Sequence, residues 1–146
     1  MWLEPSGEPA DSVSMKNAIL NNESVVCVGT DSHSFGHIWI FATVVCCHIP
    51  GRGGRFYTKR QKFERNKFLT LADRLLHEAF LSIEAAQEVE ELTGKKPKIH
   101  IDVSKKDASS AKFHKNISSY VTGMGYEVAS KPDAWASSSV ADRQAR

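Results

Sequence analysis

The chain has 146 residues, 19 Lys and Arg against 17 Asp and Glu for a formal net charge of +2, and is 41% hydrophobic and 25% charged. That composition describes a globule with a single core and excludes a disordered chain and a strongly basic, histone-like one. The longest apolar run, Ile38 to Cys47, is too short to span a bilayer as a helix, no secretory h-region opens the chain, and three cysteines make no disulfide framework, so a reducing cytoplasm is the expected compartment and no membrane is an expected partner.

Residues 1–22 contain Pro5, Gly7 and Pro9 and show no sustained period. They read as a flexible lead-in, with a helical turn or two over Met15 to Leu20, ahead of one domain spanning 23–146. Val25 to Val28 is continuously apolar and runs into Gly29-Thr30-Asp31-Ser32, which predicts a strand covered on both faces and ending near Asp31. His37 to Ile49 is a second, longer β-rich run. Pro50 to Gly54 marks a tight connection, and Arg55 to Lys62 follows as a third strand, giving an antiparallel meander.

Phe68 to Thr93 is the strongest helical segment. Leu69, Leu76, Ala79, Phe80, Ile83 and Ala86 recur on one stripe, and Gly94 with Pro97 stops it. Lys98 to Val103 predicts a fourth strand, a helix follows from about Ser109 to Met124, and Tyr126 to Ser130 predicts a fifth strand. Ala134 to Arg146 reads as a short last helix with Asp133 at its N-cap. The predicted fold is therefore α/β: a five-stranded mixed sheet of order 3-2-1-4-5 with helices on both faces, strands one, four and five being parallel.

Four carboxylates draw attention on that topology. Asp31, Asp102 and Asp133 follow the three parallel strands, whose carboxyl ends share one sheet edge, where open α/β sheets bind ligands. Glu78 lies about 120° from the centre of the helix stripe by the 100° per residue geometry, bordering the core, with Asp73 a similar flank candidate. Several carboxylates this close cannot all ionise without a counter-charge. Hard divalent cations supply it, and an all-oxygen set suits Mg2+ or Mn2+; two such ions can activate water and stabilise a leaving oxygen. Duller roles stand beside this one: Asp31 in a turn, Asp133 as an N-cap, Glu78 as a solvated helix position. Asp102, inside Ile-His-Ile-Asp-Val, needs a partner.

Val28-Gly-Thr-Asp31-Ser, the His48 to Arg55 turn, His100-Ile-Asp102-Val, Val121-Thr-Gly-Met-Gly125 and Lys131-Pro-Asp133-Ala-Trp-Ala136, running on to Asp142, together resemble the ribonuclease H-like YkuK family over roughly Ser24 to Arg146. The resemblance implies a ribonuclease H-like fold and a divalent-metal-dependent nuclease acting on RNA, DNA or a hybrid. Its first-strand, helix and fourth-strand acids correspond to Asp31, Glu78 and Asp102. Its last acid corresponds to Asp133, with Asp142 the rival; about 13 Å separates the two along a straight helix, so both cannot share one metal. The alternative function is a nucleic-acid-binding module of the same fold without turnover.

Gly51 to Lys67 carries seven basic residues against Glu64, with Phe56, Tyr57 and Phe63 interleaved. Arg52, Arg55, Lys59 and Arg60 are the expected nucleic-acid contacts, although a charged edge strand kept soluble would look the same. The lysines of Lys95 to Lys115 form a second candidate phosphate face. Cys46-Cys47-His48 alternate faces of a strand, which suits buried thiols better than zinc. His33, two residues past Asp31, is a candidate proton shuttle or rim ligand.

Overall fold

The computed structural model describes residues 1–21, 24–49, 53–103, 111–131 and 133–146, with the backbone alone at 49 and 137–139. The elements are α1 (Ser12–Leu20), β1 (Val25–Phe35), β2 (Ile38–Ile49), β3 (Gly53–Glu64), α2 (Leu71–Thr93), β4 (Lys98–His100), α3 (Ala111–Gly123), β5 (Val128–Ala129), a π-helical segment (Ala136–Ala141) and α4 (Asp142–Ala145). The sheet runs β3-β2-β1-β4-β5, with β1, β4 and β5 parallel and the first three strands antiparallel. This is the α/β topology that the sequence predicts.

β1 is longer than expected. Its pairing with β4 stops at Gly29↔His100, whereas its pairing with β2 continues to Phe35↔Ile38. Asp31 therefore lies inside a strand, just past the point where the parallel neighbour gives out. The two-residue turn Gly36-His37 closes this hairpin with Gly36 at φ 57°, a positive value that suits glycine at the first turn position.

α1, α2 and α3 cover one face of the sheet. Val28, Val45 and Tyr57 pack there with Met15 and Ile19 of α1 and Ala85 and Val89 of α2. Ile99, Ile101 and Val103 pack with Leu75, Ala79 and Ile83 of α2 and Ile117 and Val121 of α3. The C-terminal segment covers the other face, where Ala136 and Ala141 meet Cys27, Val44 and Cys46. Cys46 and Cys47 thus lie on opposite faces; all three cysteines are free and buried, and burial pushes their thiols up.

The first 20 residues, expected as a loose lead-in, are docked. Leu3 exchanges two 2.9 Å backbone hydrogen bonds with Thr58 on the outer edge of β3, and Trp2 Nε1 donates to Glu88 at 2.8 Å. Lys95 Nζ donates to the carbonyls of Ile19, Asn21 and Ser24, closing the C-terminus of α1 instead of offering itself to phosphate. No helix among the described residues is long and apolar enough to cross a membrane.

α2 begins at Leu71, with the Thr70 hydroxyl accepting from the Asp73 amide, and ends on Gly94 at φ 77°. Its buried face is rotated from the expected stripe: Leu75, Glu78, Ala79, Ser82 and Ile83 point inward, whereas Leu76 and Phe80 are 51% and 38% exposed. Polar partners across the interface account for the rotation. Ser82 meets the Thr30 hydroxyl at 2.7 Å, and Thr30 donates to Thr43 at 3.1 Å, so hydrophilic α2 residues are satisfied inside.

Candidate metal centre

The pleat divides the site between two faces. Ser32 points toward α2 and Asp31 toward the C-terminal segment, because neighbours on a strand alternate. Glu78, one of the inward residues of α2, is 6% exposed and accepts a 2.5 Å hydrogen bond from the Ser32 hydroxyl. Asp102 lies two residues beyond the end of β4 and arrives alongside. Asp31, Glu78 and Asp102 each offer a carboxylate oxygen within 4.8 Å of the others.

A second group shares Asp31. His33, next on the same face of β1, places Nε2 2.7 Å from Asp142 Oδ1 and 3.6 Å from Asp31 Oδ2. Asp31, His33 and Asp142 again lie within 4.8 Å of one another by their ligand atoms. Asp142 opens α4, and Arg146 pairs with it from the other side at 3.2 Å. Asp133 stands elsewhere: it is exposed, its amide bonds the Ser130 carbonyl at 2.9 Å, and it belongs to neither group.

The electrostatics follow from this crowding. Burial, then the charges of Glu78 and Asp102, then a hydrogen bond with Asp142 push the Asp31 carboxyl far above the ordinary carboxylate range. Burial also raises Glu78, against the lowering effect of the Ser32 hydrogen bond, with Asp102 adding to the rise. Burial pushes Asp142 up as well, but hydrogen bonds from His33 and Asp31 outweigh it and hold that carboxyl low. The protein answers part of the excess negative charge itself: Lys131 Nζ sits 2.9 Å from Asp102 Oδ1. Without a further cation the group keeps a proton, since three carboxylates at this spacing cannot all ionise.

His100 ties the two halves together. It is the buried last residue of β4, its Nδ1 accepts the Ala136 amide at 3.0 Å, and its ring meets Trp135 edge-on at 5.0 Å. Burial and the charge of Lys98 push its pKa down to about 4, so the neutral ring is the acceptor. This bond anchors the start of the π-helical segment that carries Asp142 back to β1.

The structure thus brings together Asp31, Glu78 and Asp102, with His33 at the rim, and leaves Asp133 outside. Sequence reasoning passed over Ser32 and Lys131 and ranked Asp142 second. The Ser32–Glu78 and His33–Asp142 contacts join residues 46 and 109 positions apart, and no local spacing signals them. The four expected nucleic-acid contacts are also divided. Arg52 lies outside the described residues. Arg55 and Lys59 share the α2 face of β3, where Lys59 pairs with Glu88 at 2.9 Å and covers the Trp2 ring. Arg60 lies on the Asp31 face and donates from Nε to the Gln144 carbonyl of α4.

A family model described as Ribonuclease H-like matches residues 13–146. No curated protein matches the chain.

Proposed function

The chain belongs to the ribonuclease H-like family, and from that premise we propose that it is a divalent-metal-dependent nuclease hydrolysing phosphodiester bonds of RNA or DNA. One observation carries the reading: the Asp31–Glu78–Asp102 group, two of its acids buried and the third half-buried, with its oxygens within 4.8 Å. The donor set fits a hard cation. It is all oxygen, it holds more negative charge than Lys131 neutralises, and burial with mutual repulsion raises both Asp31 and Glu78.

Asp31, Glu78 and Asp102 would hold Mg2+ or Mn2+, with Asp142 rather than Asp133 as the fourth acid. The bound metal supplies Lewis acidity and a lowered water pKa. Ser32 fixes the Glu78 carboxylate by its hydrogen bond, leaving the other oxygen to the site. His33, oriented by Asp142, can return a proton to the departing oxygen. His100 holds the C-terminal segment in place so that Asp142 reaches Asp31.

The Lys131–Asp102 ion pair favours a second reading, a nucleic-acid-binding module without turnover, in which lysine does permanently what a metal would do transiently. A panel of labelled RNA, DNA, hybrid and branched substrates with Mg2+ or Mn2+ separates the two. Cleavage by pure protein, lost in Asp102→Asn, is expected. Binding without cleavage by the wild type across the panel hands the case to the second reading.

A further inference from the structure

Both ladders of the meander run without a bulge, so residues paired across β1, β2 and β3 share a face. Three rows follow on the face that carries the C-terminal segment: Asp31, Ala42 and Arg60; His33, Ile40 and Lys62; Phe35, Ile38 and Glu64. Contacts fix the side at both ends, His33 with Asp142 and Arg60 with the Gln144 carbonyl. α4 lies over the first row and stops at Ala145. The two outer rows remain open to solvent: Phe35 is 58% exposed, Lys62 is exposed, and Ile38 and Ile40 are half-buried.

An aromatic ring and two isoleucines thus form an apolar strip that begins beside the acid cluster. Lys62 flanks it with no ion-pair partner among the described residues. Arg60 stands next along the same face, and Glu64 closes the far end. By strand geometry Phe35 lies about 14 Å from Asp31 along β1, and Lys62 about 10 Å from His33 across two strands.

We propose that these outer rows are a track for single-stranded nucleic acid, whose bases pack on Phe35, Ile38 and Ile40 while Lys62 meets the backbone, leading an adjoining phosphodiester to Asp31. The inference deepens the nuclease reading and rests on it for the direction of the strand. The choice of occupant comes from the mixture of surfaces. A duplex keeps its bases stacked within and would present phosphate alone, leaving Phe35 and the isoleucines against water. An unpaired strand offers aromatic faces and phosphates together, matching a ring beside a lysine. Arg60 and Lys62 against Glu64 leave this face one positive charge beyond the acid cluster, which favours a polyanion over an acidic protein surface.

The test is a titration of a labelled single strand, the matching duplex and an abasic strand, in Ca2+, at three salt concentrations. The wild type is expected to favour the single strand over the other two. Phe35→Ala should weaken single-strand binding about 5- to 100-fold and leave duplex and abasic affinity alone. Lys62→Ala should weaken binding of every strand and flatten the salt slope by about 0.7. Both side chains are exposed, so the variants keep their fold, which thermal melting checks. Preference for the duplex, absence of single-strand binding, or wild-type affinity in both variants overturns the track. Cleavage by the wild type combined with unchanged binding in both variants overturns the track alone. Binding through Phe35 and Lys62 without cleavage of any substrate retains the track and removes the nuclease reading.

Discussion

The two faces of the sheet are built to different standards. The α1–α2–α3 face buries Val28, Val45, Tyr57 and Ile99 beneath helices of nine, 23 and 13 residues. The opposite face is covered by a π-helical segment and a four-residue helix, and that cover stops at the Asp31 row, with Asp142 reaching His33 at its edge. The first face holds the molecule together by apolar burial. The second tolerates Asp31, His33 and Asp142 because water and ions can reach its margin. Glu78 belongs to the first face by helix and to the second by chemistry, and Ser32 makes its burial tolerable.

Removing the acid at the boundary should have the largest effect. Asp31→Asn is expected to bring hydrolysis to background while leaving metal-free stability unchanged or higher. The sign follows from linkage. The folded-state pKa of Asp31 is raised, so the folded chain holds this proton more tightly than the unfolded chain. Its contribution is in place in acid and fades as pH rises above the ordinary carboxylate range of about 4. Denaturant melts at about pH 5 and pH 8 should therefore show a smaller decline for Asp31→Asn than for the wild type; an equal decline would assign the slope to other groups.

The covered face is tested by Ile99→Ala. Its side chain is fully buried between β4 and the helices, and the change should cost about 2–5 kcal/mol in chemical denaturation. A cost near zero would mean that the two faces do not differ in packing.

The open face is tested by a paired substitution. Asp142→Asn should weaken Mn2+ binding about 10- to 100-fold, a loss of the size seen when a group around a metal is altered. Asp133→Asn should leave affinity within error. The reverse result would restore Asp133 as the fourth acid.

Lys59→Ala should do least. The Lys59–Glu88 pair is partly solvated, with side chains 23% and 42% exposed, and pairs of this kind contribute about 0–1 kcal/mol. A larger loss would show that the N-terminal arm, through Trp2 between these groups, matters to the covered face.

The strand order was legible because glycine and proline punctuate the chain and apolar runs separate cleanly. Val26 to Val28 is buried on both faces, as the continuous apolar run suggests, whereas Val25 at its start is 48% exposed. Asp102 was legible as a charge within the apolar Ile-His-Ile-Asp-Val run, and Asp31 as an acid expected where the first parallel strand ends. Asp142 was not. A straight helix from Asp133 would carry it out of reach, but the chain passes through a π-helical turn anchored by His100 on Ala136, and nothing in the local sequence announces that phase change. The helix stripe misled at Leu76 and Phe80, where hydrophobicity pointed one way and the Thr30–Ser82 and Ser32–Glu78 contacts turned α2 the other. The basic hairpin showed its charge but not its sides: alternation assigns Lys59 and Arg60 to opposite faces, and register with β1 decides which of them faces Asp31.

The most direct test is calorimetric titration of the metal-free protein with Mn2+ near neutral pH, repeated in two buffers of different ionisation enthalpy. Binding accompanied by proton release is expected, because the Asp31–Glu78–Asp102 group must give up the proton its crowding retains in order to serve as ligands. Asp31→Asn should reduce the proton release and remove most of the affinity. Absence of binding, or binding that Asp31→Asn leaves unchanged, would contradict the assignment of this carboxylate group as a metal centre.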